Sequence, residues 1–212
     1  MQYLKEEIRQ FIVTVSREEF IKHGVRETSI RTIAKRSGVA VGTIYRYFDD
    51  KDALFRAVLT PLLEELDRYL SAHNDKDFLD LRVFRMPELS IDYLQRMKEL
   101  IKAYRPELRL LLFHCEGSSL EHYMDQIIAT QTEIGNEYLR LMKERYPHLE
   151  VNISPFLIHI LCSSWASLFA ELVVHDEYTD EEIDLALNQY SRYGMAGWTE
   201  LLKPFETINT YK

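Results

Sequence analysis

Between Thr28 and Phe48 the chain reads TSIRTIAKRSGVAVGTIYRYF, with cations at Arg31, Lys35, Arg36 and Arg46 and no acidic residue. Interleaved with them are the hydroxyls of Ser29 and Thr43 and the rings of Tyr45 and Tyr47. Positive charge, hydroxyl donors and planar rings in one short stretch are the means by which a protein neutralises phosphate and reads base edges. Catalytic chemistry has no comparable candidate. The nearest grouping, His114-Cys115-Glu116 with Glu121 and His122, places neighbouring residues in different directions on a helix, and neither CxxC nor HExxH spacing occurs. There is no nucleophile elbow and no glycine-rich phosphate loop. The expectation is a non-enzyme with no metal centre and no cofactor, a metal- or thiol-responsive sensor built on His114, Cys115 or His122 being an alternative.

Positioning such a stretch takes two short helices, 28–35 and 41–48, joined by a turn at Gly38, the arrangement of a helix-turn-helix. Ile33, Ala34, Val39, Ile44 and Phe48 supply the apolar points that fix the angle between them, and Ala34 is small enough to let them approach. The second helix then presents Val41, Gly42, Thr43, Tyr45, Arg46 and Tyr47 outward, at a size suited to a major groove about 12 Å wide. Before it, Ile8, Phe11, Ile12, Val15, Phe20 and Ile21 form the stripe of a first helix over 3–23, stopped by Gly24. After it, a fourth helix runs from Lys51 to about Tyr69. Pro61 inside it predicts a kink, or a restart capped by Thr60, and makes Thr60-Pro61 a candidate hinge.

Over roughly residues 5–58 this sequence resembles the TetR family of transcriptional repressors. The matching positions are Thr28, Ile33-Ala34, Gly38-Val39, Gly42, Tyr45, Tyr47-Phe48 and Lys51, with Leu54 and Phe55 following. The resemblance implies that Thr28 and Ser29 offer phosphate donors at a helix start, with Arg31 and Lys35 on the same face. It implies that Gly42 lets the backbone approach DNA, that Thr43 and Arg46 read bases, and that Tyr45, Tyr47 and Lys51 hold the DNA backbone. One position departs from the family pattern: Ala40 stands where a Ser or Thr is usual, which leaves the second helix without a side-chain N-cap.

The remainder is read as helical as well. Of 212 residues, 46% are hydrophobic and 28% charged, and only seven Gly and six Pro punctuate the chain, too few for a strand-rich fold. The expectation is an all-α protein of about nine helices, with a DNA-binding head over 1–50 and an effector-binding and dimerisation body over 51–212. Body helices are predicted at 88–104 and 106–116, then to Tyr146 from a capping box at Ser118 and Glu121. Two more follow, one from Ser154-Pro155 to Val174 and one from a capping box at Thr179 and Glu182 to Pro204. Residues 156–174 are long and apolar enough to span a bilayer. They nevertheless carry His159, three serines and Glu171 between acidic flanks, so a buried core or interface helix is expected and no membrane partner. Two cysteines within apolar stretches and no basic n-region at MQYLKEEIRQ fit a reducing, cytoplasmic setting.

The net charge of −8 speaks against an anionic partner until it is divided by segment. Residues 1–50 hold nine bases and seven acids; the other 17 bases and 27 acids leave the body near −10. At physiological salt a charge beyond about 8 Å is screened, so a basic face can bind phosphate on an acidic molecule. Reading paired half-sites calls for two heads on a two-fold axis. The stripe Ile183, Leu187, Tyr190, Gly194, Gly197, Trp198 and Leu201 on the last helix is the candidate interface of a homodimer, together with the apolar 156–174 helix. The family resemblance further implies a small-molecule effector inside the body. Candidate lining residues are Tyr93, Met97, Tyr104, Phe113, His114, Cys115, Tyr123, Met124, Ile127, Trp165 and Phe169. An effector-independent DNA-binding adaptor is a second alternative, and the partner expected in every case is a double-stranded, palindromic operator.

Overall fold

Glycines in the left-handed region and proline-opened or hydroxyl-capped helix starts divide the chain into eight helices in the computed structural model, which describes residues 2–73, 87–147 and 152–202. They are α1 (Gln2–Glu27), α2 (Ile30–Ser37), α3 (Val41–Tyr45), α4 (Lys51–His73), α5 (Pro87–Phe113), α6 (Tyr123–Arg145), α7 (Pro155–Val174) and α8 (Asp180–Leu201). No strand occurs among the described residues. The expected polar stretch beyond His73 and the stop at Pro204 lie outside them. The count of eight arises because the two helices expected at 88–104 and 106–116 are one. Pro106 withdraws a backbone donor and bends α5 at Tyr104 (φ −127°, ψ 20°) without ending it.

The described residues group into two compact units, one within Met1–Arg68 and Ile101–Tyr123, the other within Tyr69–Leu100 and Met124–Lys212. The expected boundary after residue 50 does not coincide with this division. Leu54, Phe55, Val58, Leu59 and Leu62 of α4 are buried along with Ile12, Phe20, Ile33 and Ile44, because the turns following the reading helix supply half of its apolar support. Each such side chain, fully removed from water, is worth about 1.5–3 kcal/mol.

In the first unit, α1 breaks at Gly24, whose φ of 74° is one that a side chain would strain. Three groups seal that break. The Val25 amide donates to the His114 carbonyl (3.0 Å), Thr28 Oγ1 donates to the Gly24 carbonyl (2.7 Å), and Lys51 Nζ donates to the carbonyls of Val25 (2.7 Å) and Thr28 (3.1 Å). The C-terminal half of α5 and the turn after it belong to the same unit: Arg17 pairs with buried Glu107, and Asp52 Oδ1 accepts the Ser119 amide (2.8 Å). The capping box expected at Ser118 and Glu121 does not form. Ser118 Oγ instead donates to the Cys115 carbonyl (2.7 Å) while Glu121 accepts the Gly117 amide (3.0 Å), so these residues close a turn and α6 begins at Tyr123. Helix α4 does not restart at Pro61 either; Thr60 Oγ1 donates back to the Arg56 carbonyl (2.9 Å) and the helix continues to His73.

In the second unit the capping box at Thr179 and Glu182 is complete, and Ser154 caps α7 by accepting the Phe156 amide (3.2 Å). Gly135 of α6 sits against buried Ile158 of α7: a Cβ there would lie 2.7 Å from the isoleucine methyl, so the two helices meet where no side chain fits. Past the last turn of α7, His175 lies between two acids, Nδ1 2.6 Å from Glu177 and Nε2 3.1 Å from Glu171. The hydrogen bond from Glu177, then the charges of Glu177 and Glu171, raise the imidazole above its ordinary value. A raised pKa stabilises the fold fully below the unfolded value of about 6.5, and that contribution fades as pH rises through the folded value. The urea midpoint of the wild type should therefore fall relative to that of His175→Gln between about pH 6 and about pH 8; a constant difference between the two would contradict the bridge.

Candidate nucleic-acid interface

Helix α2 owes its existence to a buried face at Ile30, Ile33, Ala34 and Ser37 and to Ser29, whose hydroxyl accepts the Thr32 amide (3.1 Å). Gly38 ends it at φ 65°, and the Val39 amide bonds back to the Ala34 carbonyl (3.1 Å). Helix α3 has Ala40 at its N-cap with no side-chain hydrogen bond and is shorter than expected. It spans Val41–Tyr45, and Arg46 and Tyr47 continue as turns, with the Tyr47 and Phe48 amides both donating to the Ile44 carbonyl. Buried Ile44 and Phe48 anchor this short helix, and the Arg9 guanidinium lies over the Phe48 ring at 5.3 Å.

The outward faces of α2 and α3 collect the expected residues unequally. Ser29, Arg31, Lys35, Gly42 and Arg46 are exposed, as is Tyr45 at 50%; Val41, Thr43 and Tyr47 are half-buried. A Cβ on Gly42 would meet nothing of this chain within 4 Å, so its backbone is open to an approaching surface. Arg31, Lys35 and Arg46 have no ion-pair partner among the described residues, whereas Arg36 is held by Glu18 and Glu19 of α1. The acid-free block of four cations thus presents three uncompensated ones.

Thr28 and Lys51 are placed differently from the sequence expectation. Thr28 is buried, its hydroxyl donating to the Gly24 carbonyl and, at 3.3 Å, to that of Glu19, so it braces the end of α1 and Ser29 takes the cap. Lys51 spends two donors on the same break. No spacing signal marks the Arg36 pairings; for Thr28 the clue was two adjacent hydroxyl residues at a helix start that admits one cap.

The eleven residues expected around an effector divide between the units. Tyr104, Phe113, His114, Cys115 and Tyr123 fall in the first, where Phe113 and His114 are exposed and Cys115 is buried with Sγ donating to the Leu111 carbonyl (2.9 Å). Burial, then the nearby Glu116, pushes that thiol up, away from the reactive thiolate. Among the described residues no three His, Cys, Asp or Glu side chains stand together as a metal site would need. Tyr93, Met97, Met124, Ile127, Trp165 and Phe169 fall in the second unit, with Met97, Ile127 and Phe169 buried. A cavity of about 110 Å³ in that unit is lined by Ile91, Leu94, Gln95, Asp184, Leu187 and Asn188, none of them expected. Its polar wall is Asp184, paired with buried Lys98 and accepting Gln95 (3.0 Å).

The expected dimer stripe is also split. Ile183 and Leu187 face inward and are buried within the single chain, because the inner face of α8 completes its own unit. Tyr190, Gly194 and Trp198 are half-buried, Gly197 and Leu201 exposed. The open apolar residues of α8 are instead Leu185, Tyr193 (79% exposed) and Leu201, and those of α7 are Phe156, Ile160, Leu161 and Val174. Helix α7 is long and apolar enough to cross a membrane, yet only 22% of its apolar window is buried in this chain.

A five-residue reading helix held by α2 against a buried apolar core, with three uncompensated cations outward, makes this an all-α helix-turn-helix protein. The family model of bacterial regulatory proteins, tetR family, matches residues 12–58. The chain belongs to the TetR family. It is 37% identical over 76 residues, 36% of its length, to an HTH-type transcriptional repressor of Mycobacterium tuberculosis. It covers 40% of that relative, and so spans less than half the length of the curated relatives it matches. In fold it resembles NalD, the secondary repressor of the MexAB-OprM multidrug efflux pump in Pseudomonas aeruginosa (20% identity, TM-score 0.59, 91% of this chain and 96% of that one). It also resembles SmeT solved as a complex with triclosan (17% identity, TM-score 0.58, 97% and 99%).

Proposed function

We propose that the chain is a DNA-binding transcriptional regulator, a cytoplasmic homodimer that represses from a palindromic operator and is released by a small molecule. The observation that carries this reading is the face of Ser29, Arg31, Lys35, Thr43, Tyr45 and Arg46 around an open Gly42, with its three uncompensated cations. Ser29 at the start of α2 and Lys35 suit phosphates; Thr43 and Arg46, at the end that enters the groove, suit base edges. The uncovered apolar faces of α7 and α8 support pairing of two copies. The resemblance to repressors, one of them solved with a hydrophobic small molecule, supports the effector.

Binding of the purified protein to the DNA upstream of its own gene, followed across salt, tests this. Lys35→Ala should lower the slope of log affinity against log salt by about 0.9 per subunit, since one phosphate contact is lost. Arg46→Ala should cost about 1–3 kcal/mol and relax preference at one base pair. Arg36→Ala should leave the salt slope where it was, because Glu18 and Glu19 already hold that guanidinium. An equal slope change for all three variants would remove the assignment, and absence of any salt-dependent binding would remove the reading.

A further inference from the structure

Four aromatic rings from three helices stack in the second unit. Tyr69 of α4 lies on Tyr93 of α5 (centroids 4.3 Å, planes 19° apart) and faces Trp165 of α7 (6.4 Å, 18°), which in turn lies against Phe169 (5.7 Å, 22°). Packing alone explains parallel rings; it does not explain their polar atoms. Tyr69 is 92% buried, as its 8% exposure states, and its hydroxyl has no hydrogen-bond partner; the indole Nε1 of Trp165 is likewise buried and unpartnered. Buried tyrosines and tryptophans ordinarily find a partner, because the bond given up to water is otherwise not replaced. Two unmet groups on facing rings therefore define what would complete them.

We propose that Tyr69 and Trp165 form the recognition point for a flat, uncharged aromatic ligand that bears a hydrogen-bond acceptor oxygen. The indole N–H can only donate and the phenol has a proton to give, so one carbonyl oxygen, with two lone pairs, satisfies both. The near-parallel planes admit a plate rather than a chain. An anionic ligand finds no cation here: Lys98, the buried cation of the same helix as Tyr93, is paired with Asp184. Burial, reinforced for Tyr69 by its tyrosine neighbour, pushes both phenols far up, the mark of surroundings that reject charge. A cationic ligand would use the ring faces but leave both donors unmet.

The proposal names the effector class within the function proposed above and rests on its effector-responsive part; the binding measurement itself needs no DNA. Equilibrium dialysis of the full chain with 9-fluorenone and with fluorene, flat molecules that differ at the carbonyl, is the test. Fluorenone should bind about tenfold tighter or more, tenfold being 1.4 kcal/mol, and Tyr69→Phe should abolish most of that preference while fluorene binding persists. The melting temperature of ligand-free Tyr69→Phe should be unchanged or higher, since no hydrogen bond is lost. Equal affinities, binding of neither compound, or a preference that survives Tyr69→Phe would overturn the proposal. So would a lowered melting temperature for the variant, which would mean that the hydroxyl is bonded within the fold. Operator affinity with and without fluorenone separates the two claims. A Tyr69-dependent preference in a protein that binds no operator supports the site and overturns the regulator; an operator affinity indifferent to bound fluorenone overturns its role as the effector site.

Discussion

Phe55→Ala is expected to lower the stability of the head by about 3–5 kcal/mol. The ring is fully buried on α4 and meets Phe20 of α1 edge to face, centroids 5.3 Å apart at 76°. Removing it leaves a void that the surrounding helices cannot close, because Phe20 is itself fully enclosed and Leu54 and Leu59 flank the position on the same helix. A whole domain is stable by only about 5–15 kcal/mol, so this one side chain accounts for a large share of it. The consequence for function is indirect and specific. Helix α3 has five residues and no N-cap side chain, too short to hold its shape alone. Once the support under it loosens, Thr43, Tyr45 and Arg46 lose their common direction although none has been altered. Urea unfolding should show a lower first transition, and operator binding should weaken well below the temperature at which the second unit melts. Phe55→Leu, which keeps most of the volume, should cost much less. A loss below about 1 kcal/mol for Phe55→Ala would mean that the site collapses readily and that α4 is not the platform described.

That platform was largely legible in the residues because its determinants are local. Gly38 needs φ > 0, Ser29 lies one residue before an apolar helical face, and Ala40 lacks the atoms to cap; each signal and its cause lie within a few positions. What was not legible depends on separations along the chain. Arg36 meets acids 17 and 18 positions earlier, Lys51 reaches back to Val25 and Thr28, and the break at Gly24 is completed by the His114 carbonyl. Sequence spacing counts Arg36 as a cation; only packing shows that it is already neutralised. Gly135 escaped notice for the same reason, since a single glycine in a long helix has no local meaning until Ile158 is found against it. The effector region was the least legible: aromatic residues at helical spacing read as core, and what sets Tyr69 and Trp165 apart is the lack of partners for two atoms.

The other large effect concerns pairing. Ile160→Asp on α7, or Tyr193→Asp on α8, should convert a dimer to a monomer at micromolar concentration and weaken operator binding by roughly 10²–10⁴-fold, the avidity lost when two linked heads become one. The argument rests on which faces one chain leaves uncovered. On α7, Phe156, Ile160, Ser164, Ser167, Glu171 and Val174 recur every three or four residues on the exposed side, and on α8 Leu185, Gln189, Tyr193, Gly197 and Leu201 do the same. A soluble monomer rarely exposes so continuous an apolar surface. The serines and Glu171 on it, with Asp176 and Glu177 just beyond, would be costly in a lipid core but are tolerable at a protein interface. Gly194 and Gly197 sharpen the test. A Cβ at either meets nothing within 4 Å in the single chain, so no packing inside one chain explains why a helix should carry two residues that each cost it roughly 1 kcal/mol relative to Ala. A partner helix in close approach would. Gly197→Ala should accordingly raise the helix's own stability and yet weaken association, opposite signs that a purely intramolecular role cannot produce. Light scattering across a dilution series, beside urea unfolding at fixed concentration, separates the two; a substitution that strengthened both would place the dimer interface elsewhere.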